Sequence, residues 1–95
     1  MDIKKGQIVS SIAGRDKGHR FIVIETEPNF VYLVDGKLRK VEVPKRRCVK
    51  HIEYAGELKK ELSEKINSGE KVLNSEIRRA LAEFANIIGE EAQQA

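Results

Sequence analysis

Tryptophan is absent from these 95 residues, and the aromatics amount to three Phe and two Tyr. So few rings give no broad stacking platform for reading single-stranded nucleic acid. The lone cysteine, Cys48, excludes an internal disulfide. Nothing then calls for an oxidising compartment, and a cytoplasmic location is expected. No apolar run approaches the roughly 20 residues of a membrane span, so no membrane partner is expected. The opening Met-Asp-Ile-Lys-Lys-Gly has none of the apolar stretch of a secretory leader. Metal ligands are also scarce. Cys48-x-x-His51 is at most half a zinc site, and His19 lies in a distant loop. No Ser-His-Asp or Cys-His arrangement and no nucleotide-hydrolase phosphate loop is present. Asp35 and Glu42 have no evident partner for acid–base work. The expectation is a protein without enzymatic activity, metal or cofactor.

What is present is charge, unevenly placed. Residues 1–53 hold 12 Lys or Arg against 7 Asp or Glu, and residues 54–95 hold 6 against 8. The first part is a basic module and the second is mildly acidic. A basic module suits a polyanion, with RNA or DNA the default. A solvated surface without a partner would show the same balance.

The two parts also differ in period. Residues 7–12 are short and rich in β-branched side chains. Residues 21–24 form a continuous apolar run, as in a buried strand. Residues 30–34 follow the breaker Pro28-Asn29. Asp35-Gly36 is a hairpin signal, and residues 38–43 are expected as the return strand. Leu38, Val41 and Val43 are then available to a core, and Pro44 stops the strand. Residues 49–52 are expected as a short closing strand. Five short strands in about fifty residues fit a small barrel or roll.

Beyond residue 54 the spacing is helical. Leu58, Leu62 and Ile66 recur every four residues, which predicts a helix over about 56–68 that stops at Gly69. A second helix is predicted over about 75–88, capped by Asn74 or Ser75 and ended by Gly89. Its apolar face is Ile77, Leu81, Phe84 and Ile88, flanked by Ala80 and Ala85. Residues 90–95 are expected to fray.

The most informative stretch is residues 5–24. Physically it is strand, tight basic loop, strand. Gly14 and Gly18 bracket Arg15, Asp16 and Lys17, with Arg20 just beyond. Glycines there permit a sharp turn and close ligand approach. Backbone amides and guanidinium forks together suit phosphate. Gly6, Ile8-Val9, Gly14, Gly18 and the apolar run after it resemble the KOW motif of ribosomal proteins and transcription elongation factors. The likeness covers about residues 3–53 and is closest to the ribosomal branch of archaeal and eukaryotic large-subunit proteins and their small bacterial relatives. Val34-Asp35-Gly36 with Arg39, and Pro44-Lys45-Arg46-Arg47 leading to Lys50-His51, look similar to that branch. One departure is His19-Arg20-Phe21, where many KOW motifs carry another glycine. The resemblance implies a mainly β SH3-like barrel over residues 1–53 (α+β overall), followed by a two-helix appendage within residues 54–95. It implies RNA binding, with ribosomal RNA or the ribosome as partner and a place in translation.

A second basic cluster comprises Arg39, Lys40, Lys45, Arg46, Arg47 and Lys50. Three like charges in a row at 45–47 repel one another, and phosphate contact is one reason for them to persist. Arg46 and Arg47 are expected on an exposed turn after Pro44. Phe21 and Phe30 are expected in the core, and Tyr32 and Tyr54 in core or surface packing. The alternative function is a protein-interaction barrel. Its helical tail would then offer a docking face for translation or transcription machinery, or for self-association.

Overall fold

The computed structural model describes residues 2–89; the fraying expected at residues 90–95 lies outside them. Five strands and two helices follow in chain order. They are β1 (Gln7–Ser11), β2 (Arg20–Glu27), β3 (Phe30–Val34), β4 (Lys45–Cys48) and β5 (Ile52–Glu57), then α1 (Lys60–Ser68) and α2 (Asn74–Ile87). The strands form one antiparallel sheet in the order β4-β3-β2-β1-β5. No helix among the described residues is long and apolar enough to cross a membrane.

The sheet is not closed, but it cannot be flat. β4 and β5 are its two edges. In a flat five-stranded sheet they would lie about 19 Å apart, at ~4.8 Å per strand. Only the 3₁₀ turn Val49–His51 joins them. Such a turn advances about 2 Å per residue. The sheet must therefore curl until its edges approach. The curl encloses Val9, Phe21, Val23, Val31, Leu33 and Ile52, drawn from four strands and covered by no helix.

The opposite face carries Ile8, Ile22 and Val34, and these are buried by Ile66 of α1 and Ile77 of α2. Leu58, Leu62, Leu81, Ala80 and Phe84 pack around them, as the helical spacing predicts. Ile88 does not join this core and is half exposed. Burial on both faces explains why residues 21–24 read as an unbroken apolar run rather than an alternating one. Gly69 ends α1 in the left-handed conformation, and Gly89 follows α2 in the same way.

The expected return strand at 38–43 is overturned. Those residues form bends and turns, and the next strand begins after Pro44 instead of ending before it. The cause is Asp35. Its Oδ1 accepts from the amides of Lys37 (2.9 Å) and Arg39 (2.8 Å), groups that a ladder would have needed. Leu38 and Val43 are consequently 85% and 73% exposed, and only Val41 reaches a core. The expected closing strand is likewise displaced. Residues 49–51 are the 3₁₀ turn, and β5 runs on through Tyr54, Ala55 and Gly56 to pair with β1. The Phe84 ring packs against Gly56, where any side chain would collide with it. Neither Asn74 nor Ser75 caps α2. Glu76 accepts from the Leu73 amide at 3.0 Å, and the Asn74 side chain is used elsewhere.

Candidate functional site

The glycine-bracketed loop, residues 12–19, leaves the end of β1 and returns at the start of β2. Its backbone is closed by Ser11 N to His19 O (2.9 Å), Gly18 N to Ser11 O (2.8 Å) and His19 N to Asp16 O (2.8 Å). Gly14 and Gly18 both take positive φ, +81° and +89°. Nothing lies within 4 Å of the place where a Gly18 Cβ would sit, so a ligand can approach its backbone closely.

Asp16 organises the loop. The Ser11 hydroxyl lies 2.7 Å from its Oδ1. Arg47 Nη1 donates to both carboxylate oxygens, at 2.9 and 2.7 Å, and Lys45 Nζ donates to Oδ2 at 3.0 Å. Arg47 Nη2 also donates to the Ala13 carbonyl at 2.6 Å. Partial burial raises the Asp16 pKa. Hydrogen bonds from Ser11, Arg47 and Lys45 outweigh it and hold the carboxyl well below the usual carboxylate range. One aspartate thus fastens β4 to the loop.

This fastening sorts the predicted basic residues. Arg15 and Lys17 are exposed and form no salt bridge with a described residue. Lys45 and Arg47 both pair with Asp16, which offsets one of their two charges, and only 11% of the Arg47 side chain is accessible. Arg46 is not on a turn. It lies on β4 between Lys45 and Arg47, and strand alternation sends it to the other side. There its guanidinium stacks 3.7 Å from the Phe30 ring centroid, with Nε 3.4 Å from Glu27 Oε1. Phe30 is accordingly half-buried under Arg46 rather than in the core. Arg20 is on β2, its guanidinium 5.4 Å from the Phe84 centroid, and so belongs to the helix-covered face. Lys50 is exposed on the 3₁₀ turn.

Arg39 and Lys40 lie in the irregular segment between β3 and β4. Asp35 connects that segment to the glycine loop, because His19 Nε2 donates to Asp35 Oδ2 at 2.8 Å. Burial raises the Asp35 pKa, and the amides of Arg39 and Lys37 with His19 more than reverse it, so the group stays ionised. The structure therefore unites two loops, 12–19 and 35–43. Arg15, Lys17, Lys37, Arg39 and Lys40 are exposed on them, while the two buried or half-buried acids are satisfied internally. Lys37 had not stood out in the sequence. The sequence marks Asp16 only as a member of the bracketed loop, and Asp35 as a hairpin signal without an evident partner. The structure gives Asp35 His19 and two amides, and Glu42 the Asn74 side chain.

Tyr32 and Tyr54 donate to Glu27 and Glu57 at 3.0 and 2.6 Å, so their hydroxyls are engaged in surface packing. Cys48 is a free, half-buried thiol. No protein-family model matches the chain, and no curated protein sequence matches it.

Proposed function

We propose that this chain is an RNA-binding module of the KOW type. Its curled sheet acts as an SH3-like barrel, and it grips structured RNA by the phosphates. Ribosomal RNA is the partner that the motif resemblance implies, in a cytoplasmic setting connected with translation. The role is binding, not catalysis.

One observation carries this. Asp16 takes up Lys45 and Arg47 and thereby fixes the glycine loop, while Arg15 and Lys17 are exposed on it and form no salt bridge with a described residue. A fixed loop loses little conformational freedom when phosphate binds. The adjoining Arg39 and Lys40 extend the same sign of charge. The curl of the sheet and the 3₁₀ turn before β5 support the barrel.

The test is titration of a structured RNA at several salt concentrations. Log affinity should fall steeply with log salt, and Arg15→Ala with Lys17→Ala should flatten the slope by up to about two units. The loss should be nearly equal for unrelated sequences, because phosphate contacts do not read bases. A shallow wild-type slope would favour the protein-docking alternative.

A further inference from the structure

The segment between β3 and β4 holds a side chain for which the fold has no use. Leu38 is more exposed than any other large apolar residue described. Its turn is nevertheless firmly held. Asp35 and Gly36 amides both donate to the Arg39 carbonyl, at 2.8 and 3.1 Å. Arg78 of α2 donates to the Gly36 carbonyl at 2.7 Å, and Asn74 accepts from the Val41 amide at 2.9 Å. Together with the two amide bonds to Asp35, these pin the turn on both sides of Leu38. A leucine held out in water on a rigid turn forgoes burial that is worth about tenfold or more in an equilibrium constant.

The neighbours of Leu38 indicate what would cover it. Lys37, Arg39 and Lys40 surround it in the chain, and the His19–Asp35 contact sets this turn against the loop bearing Arg15 and Lys17. An apolar tip ringed by cations on two adjoining loops fits a polyanion that also offers an apolar face. A nucleobase has such a face, and its flanking phosphates meet the cations. In a perfect helix base faces are hidden by stacking. An unpaired base leaves one available.

We propose that Leu38 packs against an unpaired nucleobase in an otherwise helical RNA, with Lys37 and Arg39 on the adjoining phosphates. This rests on the RNA-binding proposal above and names the RNA feature that it recognises.

The experiment uses two hairpins with the same stem, one fully paired and one with a single-purine bulge. Each is titrated with the wild-type protein and with Leu38→Ala at several salt concentrations. The wild type should bind the bulged hairpin about tenfold more tightly. Leu38→Ala should lose that preference and keep the salt slope, since it removes no phosphate contact. Its melting temperature should be unchanged, because the side chain packs on little. Lys37→Ala with Arg39→Ala should weaken both hairpins and flatten the slope. A wild type that does not favour the bulge, or a Leu38→Ala variant that still does, would overturn the assignment while leaving RNA binding intact. A shallow wild-type slope would overturn both.

Discussion

Asp16 shows how one carboxylate can decide which of its cationic neighbours remain available. Against its partial burial, hydrogen bonds from Ser11, Arg47 and Lys45 hold its carboxyl well below the usual carboxylate range. A carboxylate whose folded pKa lies below its unfolded value stabilises the fold fully above the unfolded value, about 3.9 for Asp. That contribution is withdrawn as pH falls below it toward the folded value. The wild-type melting temperature should therefore drop as pH is lowered from about 4 toward 2. Asp16→Asn should melt lower at pH 7 and lose less on acidification, with Asp35, Glu42 and Glu76, whose carboxyls are also held down, contributing to the remaining dependence. Parallel curves for the two proteins would show that Asp16 is not paired in solution. Gly18 presents the opposite case, since a Cβ there meets nothing and only its φ of +89° resists substitution. Gly18→Val should cost about 1–3 kcal/mol by denaturant titration, and Gly18→Asn less, because Asn tolerates the left-handed region. Equal stability of all three proteins would refute this. The glycine bracket was legible in the sequence because positive φ has a residue signature. The partner of Asp16 was not, because Arg47 is 31 positions away and the pairing depends on the curl.

At the level of elements, β4 is the instructive case. Read as a string, Lys45-Arg46-Arg47 is one basic run; as a strand it alternates. Arg47→Ala should cost about 1–3 kcal/mol, since it leaves the Asp16 charge and the Ala13 carbonyl with lost partners. Arg46→Ala should cost under about 1 kcal/mol, because an exposed ion pair and one cation–π contact are worth little. Chemical denaturation of the two variants checks the difference; equal losses would count against the alternation. The missing strand at 38–43 has a similar lesson. Asp35-Gly36 followed by Leu38, Val41 and Val43 suited a hairpin, but Asp35 captured two amides first, and local side-chain bonds compete with ladders. α2 then locks the result. A Cβ on Gly36 would stand 2.6 Å from the Asn74 carbonyl oxygen. Asn74→Ala should accelerate hydrogen exchange at the Val41 amide while leaving the β1–β2 amides unchanged. Unaltered exchange at Val41 would mean that the segment is held by something other than α2. The ends of both helices and the start of α2 were read to within a residue, because spacing and glycine stops are properties of the chain alone. α1, however, starts at Lys60 rather than about 56, since residues 56 and 57 are paired in β5. Where the helices dock is not such a property, as it depends on which sheet face is left apolar.

For the whole molecule, the helices cover one of the two apolar clusters. Ile8, Ile22 and Val34 would face water without α1 and α2. A chain cut after Glu57 should be poorly soluble or lack a cooperative melt, which circular dichroism and sedimentation would detect. A soluble, cooperatively melting fragment would mean that the strands form an independent unit. The β2–β3 hairpin closes over two residues, whereas Gln7 of β1 pairs with Glu57 of β5, 50 positions later. Such separation slows folding, because loop closure must precede the contacts that reward it. It also bears on synthesis. β5 is synthesised after β1, with Glu57 50 positions beyond Gln7, so one edge of β1 stays open in the interval. The hairpin can form early and wait. The β1–β5 pairing can only follow synthesis of β5, and the speed of translation between the two strands sets how long that open edge is exposed to other nascent chains.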